Sequence, residues 1–239
     1  GIDSGGDTEV TTNSNKDQLA NYVVRDNSLY ITYDGGEKYV TVPASYSYLL
    51  YEDNSTTSLK EGSYMITTEK TAFVYGGKTA NSTKVPVTVI YSDDKGENWT
   101  TCELDNIYNA DYYYVKFFDV NNGVVICGYA KSNDTNESSR IYKTSNGGES
   151  WETVGSGPAT NIIKGVVYVT ADVGFFCYDY VDGMDSNLYK TDDGGKTFAK
   201  VILEAQELDS SAANPQGQET ETKTDSGKTG TDSYEQLKW

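Results

Sequence analysis

The stretch that decides the fold is the octapeptide TSNGGESW at residues 144–151. It follows a pattern of a hydroxyl residue, any residue, Asp or Asn, any residue, Gly, two further residues and an aromatic residue. The pattern returns as TYDGGEKY at 32–39, SDDKGENW at 92–99 and TDDGGKTF at 191–198. The four copies begin 60, 52 and 47 residues apart. A period near fifty residues in a β-type sequence is typical of propellers and arrays.

Each octapeptide lies between two short runs of β-forming residues, which predicts a hairpin turn. The Asp or Asn side chain can accept hydrogen bonds from the backbone amides of the turn, and Gly supplies a positive φ. The hydroxyl offers another local bond, and the aromatic ring begins the outgoing strand, where we expect it to be buried between sheets. Four residues per copy are assigned to this structural role: Thr32, Asp34, Gly36, Tyr39, Ser92, Asp94, Gly96, Trp99, Thr144, Asn146, Gly148, Trp151, Thr191, Asp193, Gly195 and Phe198.

Further β-forming runs predict four strands per period. The third copy has them at 112–118, 123–129, 140–143 and 151–154, and the fourth at 162–169, 173–180, 188–190 and 198–203. The second copy has them at 63–67, 72–76, 85–91 and 99–104, whereas the first shows only 22–25, 28–32 and 39–42 and lacks its front strand. No window has sustained helical periodicity. The sequence therefore predicts an all-β propeller of four-stranded antiparallel blades, as a closed four-bladed ring or an arc of a larger propeller.

These octapeptides resemble the Asp-box, or BNR repeat, of sialidases, sortilin-type receptors, some glycoside hydrolases and photosystem assembly factors. The resemblance covers residues 18–203. It implies that each box lies on the outer turn of a blade, away from the central channel, and acts as a structural stitch. It therefore implies no catalytic role for the third residue of any box.

Sialidase activity is not expected despite this resemblance. That family holds the substrate carboxylate with three arginines, whereas this chain has only Arg25 and Arg140 and lacks the family's Arg-Ile-Pro signature. Other glycosidases need only two carboxylates on either side of a sugar. With 36 acidic residues such a pair remains an alternative, although none stands out by spacing. Asp111 and Asp119 are expected at strand ends as ordinary solvated charges.

Composition excludes several other classes of function. The chain has no histidine, which removes Ser-His-Asp and Cys-His nucleophile pairs and imidazole metal ligands. Its net charge of −17 repels nucleic acid and anionic membrane surfaces. Cys102, Cys127 and Cys177 lack metal-ligand spacing and are expected to be small buried hydrophobic side chains. No calcium-loop motif is present, so no metal or cofactor is predicted.

The two ends differ in composition from the repeats. Residues 1–17 are expected to be a flexible acidic leader, similar to the spacer that follows a lipid-modified cysteine in bacterial surface lipoproteins. Residues 204–233 are expected to be a polar linker. Residues 234–239 carry the only large apolar groups of the tail and are predicted to supply the blade-closing strand beside residues 22–25. Beyond a lipid anchor, no membrane insertion is expected.

Tyrosine is abundant and supplies the only binding candidates, Tyr46, Tyr48, Tyr112 and Tyr114. A tyrosine ring combines a flat apolar face with a polar tip, which suits stacking on a carbohydrate or adaptable contact with a protein. The sequence therefore predicts a non-catalytic, extracytoplasmic binding or scaffold module, bacterial and at the cell surface or secreted, for glycan or protein ligands. The alternatives are a glycoside hydrolase and a propeller similar to photosystem assembly factors. The oligomeric state is left open.

Overall fold

The computed structural model describes residues 19–26, 28–44, 49, 58–80, 83–106, 108–129 and 139–202. These residues form strands and turns without a helix, so none of them belongs to a helix able to cross a membrane. The all-β fold class is thereby confirmed. The predicted leader, linker and closing strand lie outside the described residues, as do Tyr46 and Tyr48.

The strands form four antiparallel sheets that follow one another along the chain. The first sheet has three strands, β1 (Asn21–Arg25), β2 (Ser28–Thr32) and β3 (Val40–Thr41). The second contains β4 (Tyr64–Ile66), β5 (Thr71–Tyr75), β8 (Val87–Ser92) and β9 (Thr100–Asp105), with the hairpin β6 (Lys78–Ala80) and β7 (Thr83–Val85) inserted after β5. The third contains β10 (Ala110–Phe117), β11 (Gly123–Tyr129), β12 (Ser139–Thr144) and β13 (Glu152–Ser156). The fourth contains β14 (Ile163–Tyr168), β15 (Gly174–Tyr178), β16 (Leu188–Thr191) and β17 (Ala199–Lys200).

The strand pattern agrees with the sequence except at the inserted hairpin. Gly76 and Gly77 have φ values of 83° and 63°, which redirect the chain after β5. A Cβ on Gly76 would lie 2.0 Å from the carbonyl oxygen of Pro86, so only glycine fits there. Pro86 then separates β7 from β8, because proline cannot donate to a strand ladder. The single strand predicted over residues 85–91 is for this reason two elements.

Consecutive sheets pack face to face, and the central strands of the second and third sheets are buried on both faces. Val125 and Cys127 of β11 lie in the core shared with the second sheet, whereas Val124 and Ile126 lie in the core shared with the fourth. All four side chains are fully buried. Burying a side chain of the Val or Ile type contributes about 1.5–3 kcal/mol relative to exposure. Because successive side chains of a strand point to opposite faces, β11 contributes to the cores on both sides of the third sheet.

The first strands of the second, third and fourth sheets lie close to one another. The backbone N–H of Val115 in β10 donates to the carbonyl of Gly62, just before β4, at 2.8 Å. On the other side of β10, the Tyr114 hydroxyl accepts the backbone N–H of Tyr168 in β14 at 3.0 Å. Stacked four-stranded sheets whose first strands converge form a propeller-like module. Three core clusters of the described residues join the first sheet to the second, the second to the third and the third to the fourth.

Candidate functional site

The four octapeptides form nearly identical turns between the last two strands of their sheets. The hydroxyl of the first residue donates to Oδ1 of the third at 2.8, 2.8, 2.9 and 2.9 Å in chain order. The same hydroxyl accepts the N–H of the glycine at the fifth position at 2.9, 2.8, 3.0 and 2.8 Å. That Oδ1 also accepts the backbone N–H four residues further along, at 2.8 to 3.0 Å. The hydroxyl and the Oδ1 atom of each turn are therefore used within the turn.

The acidic residues of these turns are held as anions. Hydrogen bonds lower the pKa of Asp34, Asp94 and Asp193 below the usual value, led by the Lys38 amide, the Asn98 amide and the Thr197 hydroxyl respectively. Asn146 makes the equivalent bonds in the third turn with a neutral side chain. The geometry thus does not depend on the charge, as expected for a turn-stabilising residue.

The aromatic residue that ends each later octapeptide packs on a ring of its own sheet. Trp99 lies 6.2 Å from Phe73, Trp151 5.8 Å from Phe117, and Phe198 5.0 Å from Phe176, measured between ring centroids. The indole N–H groups of the two tryptophans donate to the carbonyls of Gly96 and Gly148 at 3.1 Å. The rings therefore close the turn and extend the core at the same time.

A cleft of about 440 Å³ lies at the converging first strands, at the opposite edge of the sheets from the octapeptide turns. It is lined by three short segments, residues 60–62 before β4, 111–114 in β10 and 164–167 in β14. Each comes from a different sheet, about fifty residues from the next. Only the stacking of the sheets brings them together.

Tyr112 and Tyr114 both line this cleft, so the structure brings these two candidates together. Tyr113 between them points to the opposite face, where it is 2% exposed and its hydroxyl donates to the carbonyl of Gly76. Tyr114 is half-buried, its ring lies 6.3 Å from that of Tyr168, and burial raises its pKa. The tyrosines therefore form walls of the cleft rather than freely exposed stacking platforms.

Charged groups of both signs surround these tyrosines. Lys60, Glu61, Asp111 and Lys164 line the cleft, and the Lys164 ammonium lies 3.0 Å from the Asp179 carboxylate. Asp111 is exposed at the rim, but the protein around its carboxylate displaces enough water to raise its pKa, against the opposing effect of nearby lysines. A cleft with both signs of charge suits a ligand that itself carries mixed polar groups.

Two glycines set the space in the cleft. Gly62 has a φ of 79°, and a Cβ on it would lie 2.8 Å from the carbonyl oxygen of Tyr113. Gly165 differs, because a Cβ there would meet no atom within 4 Å. A side chain at residue 165 would therefore project into open space on the side of β14 that carries Val167, at the edge of the cleft.

Sequence reasoning did not select Lys60, Glu61, Lys164 or Gly165, because no motif connects them. Asp111 was considered only as a solvated charge at a strand end, whereas it lines the cleft. Asp119 is as expected: its exposed carboxylate accepts the backbone N–H groups of Asn121 and Asn122 at 2.8 and 2.7 Å and serves the β10–β11 turn. The shared signal of the cleft segments is that each lies at or just before a first strand.

The cysteine prediction needs a correction. Cys127 is fully buried as expected, and burial strongly raises its pKa, but Cys102 and Cys177 are only partly buried. Cys102 lies on the outer strand β9, and Cys177 lies on the side of β15 that faces away from the third sheet, so neither is enclosed. In the described part of the chain, no three His, Cys, Asp or Glu side chains are placed to hold a metal ion.

Comparison with known proteins gives structural similarities alone. No family model and no curated protein matches the chain. The chain is similar to a structure described as YCF48 bound to D1 peptide, with 15% identity and a TM-score of 0.45, over 77% of this chain and 50% of that one. It is also similar to the crystal structure of the Niastella koreensis GH74 enzyme, with 20% identity and a TM-score of 0.36, over 55% of this chain and 20% of that one. The chain thus spans half or less of each, and no residue role is transferred from them.

Proposed function

We propose that the chain is a non-catalytic binding module that holds a segment of a protein partner in the cleft lined by Tyr112 and Tyr114. The observation that carries this proposal is the convergence of three first strands around about 440 Å³ of open space. Pockets that bind ligands are usually concave and placed by rigid elements. Here the second and third sheets supply the rigidity, because their central strands are buried on both faces.

A protein segment fits this cleft better than a glycan. Sugar stacking needs an open aromatic face, but Tyr114 is half-buried against Tyr168. The cleft instead offers Lys60 and Lys164, Glu61 and Asp111, together with the exposed apolar side chain of Val167. Charged groups of both signs beside apolar surface resemble the composition of a protein–protein contact.

We further propose that the chain is an Asp-box propeller and that it is extracytoplasmic, at a bacterial cell surface or secreted. The composition of residues 1–17, which resembles the spacer of bacterial surface lipoproteins, supports the proposed location. The common hydrogen-bond pattern of the four octapeptide turns supports the family.

A carboxylate-pair glycosidase is the second candidate, because Glu61 and Asp111 line the same cleft. A general acid in such an enzyme needs a raised pKa, and the pKa of Asp111 is raised, chiefly by loss of hydration. The two candidates differ in one respect that can be measured, which is turnover of a glycoside that depends on Asp111.

Filling the cleft tests the binding proposal. Peptides selected from a random phage-displayed library on the wild-type protein are synthesised and titrated against Gly165→Trp by calorimetry. The indole would stand beside Val167 at the edge of the cleft, and its Cβ would meet no atom within 4 Å, so we expect binding to weaken at least about tenfold. Thr153→Trp, which places the same side chain on the exposed outer strand β13, is the control and leaves binding unchanged.

Two results would overturn the proposal. The first is equal affinity of the selected peptides for the wild-type protein and for Gly165→Trp. The second is hydrolysis of chromogenic glycosides or polysaccharides that disappears in Asp111→Asn, which would establish the glycosidase.

A further inference from the structure

The fourth sheet has one face that no core cluster of the described residues covers. Val167, Phe175, Cys177 and Leu188 share this face, because Val167 pairs with Phe175 and Cys177 pairs with Leu188 across the strands. Val167 is 57% exposed, and the other three are only partly buried. The intervening residues, such as Phe176, point to the third sheet and are fully buried.

The third sheet shows what normally covers such a face. Its equivalent positions on the second and third strands are Val124, Ile126 and Ile141, each with 0% exposure. They are buried because the fourth sheet packs on them. The second sheet is covered by the third in the same manner. The apolar face of the fourth sheet therefore has the composition and position of a surface on which another sheet of this repeat packs.

The first sheet has the complementary free face at the other end of the stack. Leu29 and Ile31 of β2 point to the second sheet and have 0% exposure. Val23 and Tyr30 pair with each other, point the opposite way and are only partly buried. In the later sheets, the face in this position packs on the sheet before it. Each end of the stack therefore has a partly buried, apolar sheet face of the type that packs on a neighbouring sheet elsewhere in the stack.

We propose that two copies of the chain associate head to tail, with the fourth sheet of one packed on the first sheet of the other. Two such contacts, related by a two-fold axis, cover the free face at each end of both stacks. They close a ring of eight sheets, a number within the range that propellers adopt. Closure within one chain would bury Val167, yet it stays exposed, and none of the three core clusters joins the fourth sheet to the first. The interface adjoins the proposed ligand cleft at Val167, which lies on the free face and also lines the cleft.

Light scattering coupled to gel filtration of the full chain tests the association. We expect a mass twice the 26.2 kDa of one chain. Phe175→Lys places an ammonium group in the contact and should raise the dimer Kd at least about tenfold. Val120→Lys is the control, because Val120 is 49% exposed in the β10–β11 turn, and it should leave the mass unchanged.

Thiol labelling of the wild-type protein supplies a second readout that needs no folded variant. Cys177 lies on the proposed contact, whereas Cys102 lies on β9 of the second sheet and serves as the internal reference. The labelling rate of Cys177 relative to Cys102 should fall as protein concentration rises. A monomer at every concentration, a ratio independent of concentration, or a dimer that persists in folded Phe175→Lys would each overturn the proposal.

Discussion

We expect the hydroxyl of Thr144 to make a large contribution to the free energy of unfolding. Thr144→Val is the variant that measures this contribution. The side chain is 6% exposed, donates to Oδ1 of Asn146 at 2.9 Å and accepts the N–H of Gly148 at 3.0 Å. Valine keeps the branched shape but removes both bonds. Asn146 is exposed and can bond to water, whereas Gly148 is buried and its N–H loses its partner.

The expected loss follows from these contacts. A buried donor left without a partner costs about 1–3 kcal/mol, and the additional methyl group returns about 0.8 kcal/mol at most. Allowing for the lost bond to Asn146, we expect the free energy of unfolding to fall by about 2 kcal/mol. For a domain of this size, that corresponds to a Tm lower by about 4–8 °C.

Urea unfolding followed by far-ultraviolet circular dichroism is the assay. Thr153→Val, on the exposed surface of β13, makes the same chemical change without a turn and should stay within about 0.5 kcal/mol of wild type. Thr144→Ser retains the hydroxyl and should recover most of the loss. Equal unfolding midpoints for Thr144→Val and Thr153→Val would refute the view that the hydroxyl holds the turn.

Three further predictions concern acid stability, a glycine and the tail. The lowered pKa of Asp193 stabilises the folded state above the unfolded pKa near 3.8, and this stabilisation is lost as pH falls toward the folded pKa. In urea titrations, Asp193→Asn should therefore lose less stability than wild type between pH 6 and pH 3. An equal loss in both proteins would contradict this role of Asp193. Gly148→Ala should lower the free energy of unfolding by about 1–3 kcal/mol, because the φ of Gly148 is 97° and the new Cβ would lie 3.0 Å from the Tyr91 ring. Gly155→Ala, at a position without a positive φ, is the control and should leave the free energy of unfolding nearly unchanged in the same assay. Deletion of residues 233–239 should lower thermal stability if this segment supplies the strand beside β1, and an unchanged melting curve together with an unchanged mass would count against that strand.

Much of the fold could be predicted because its determinants are local. The turn at 144–151 contains its hydroxyl, its acceptor and its glycine within five consecutive residues, so the pattern is visible without tertiary contacts. That the first sheet has only three strands among the described residues was also visible, as a missing β-forming run. The β6–β7 hairpin was not predicted from the sequence, because it depends on Gly76 and Pro86 together. These residues are ten positions apart, and neither alone predicts a break in a strand.

The candidate site was predictable only in part. That Tyr112 and Tyr114 share a face opposite Tyr113 follows from strand alternation. That these tyrosines share a cleft with Gly165 and Lys60 does not, because those residues lie about fifty residues away in either direction. No local sequence pattern identifies Gly165 as a residue of the cleft. Its distinctive property is that a Cβ there would meet no atom within 4 Å, which depends on how the sheets pack.

The sequence by itself determined the all-β class, the repeat of about fifty residues, the turns and the absence of histidine chemistry, because each depends on neighbouring residues or on composition. Tertiary structure alone decided which charges line the cleft, which cysteine is enclosed and which faces of the first and fourth sheets remain uncovered. These properties depend on how whole sheets stack, and stacking is fixed by the summed burial of side chains from distant strands rather than by any one stretch of chain.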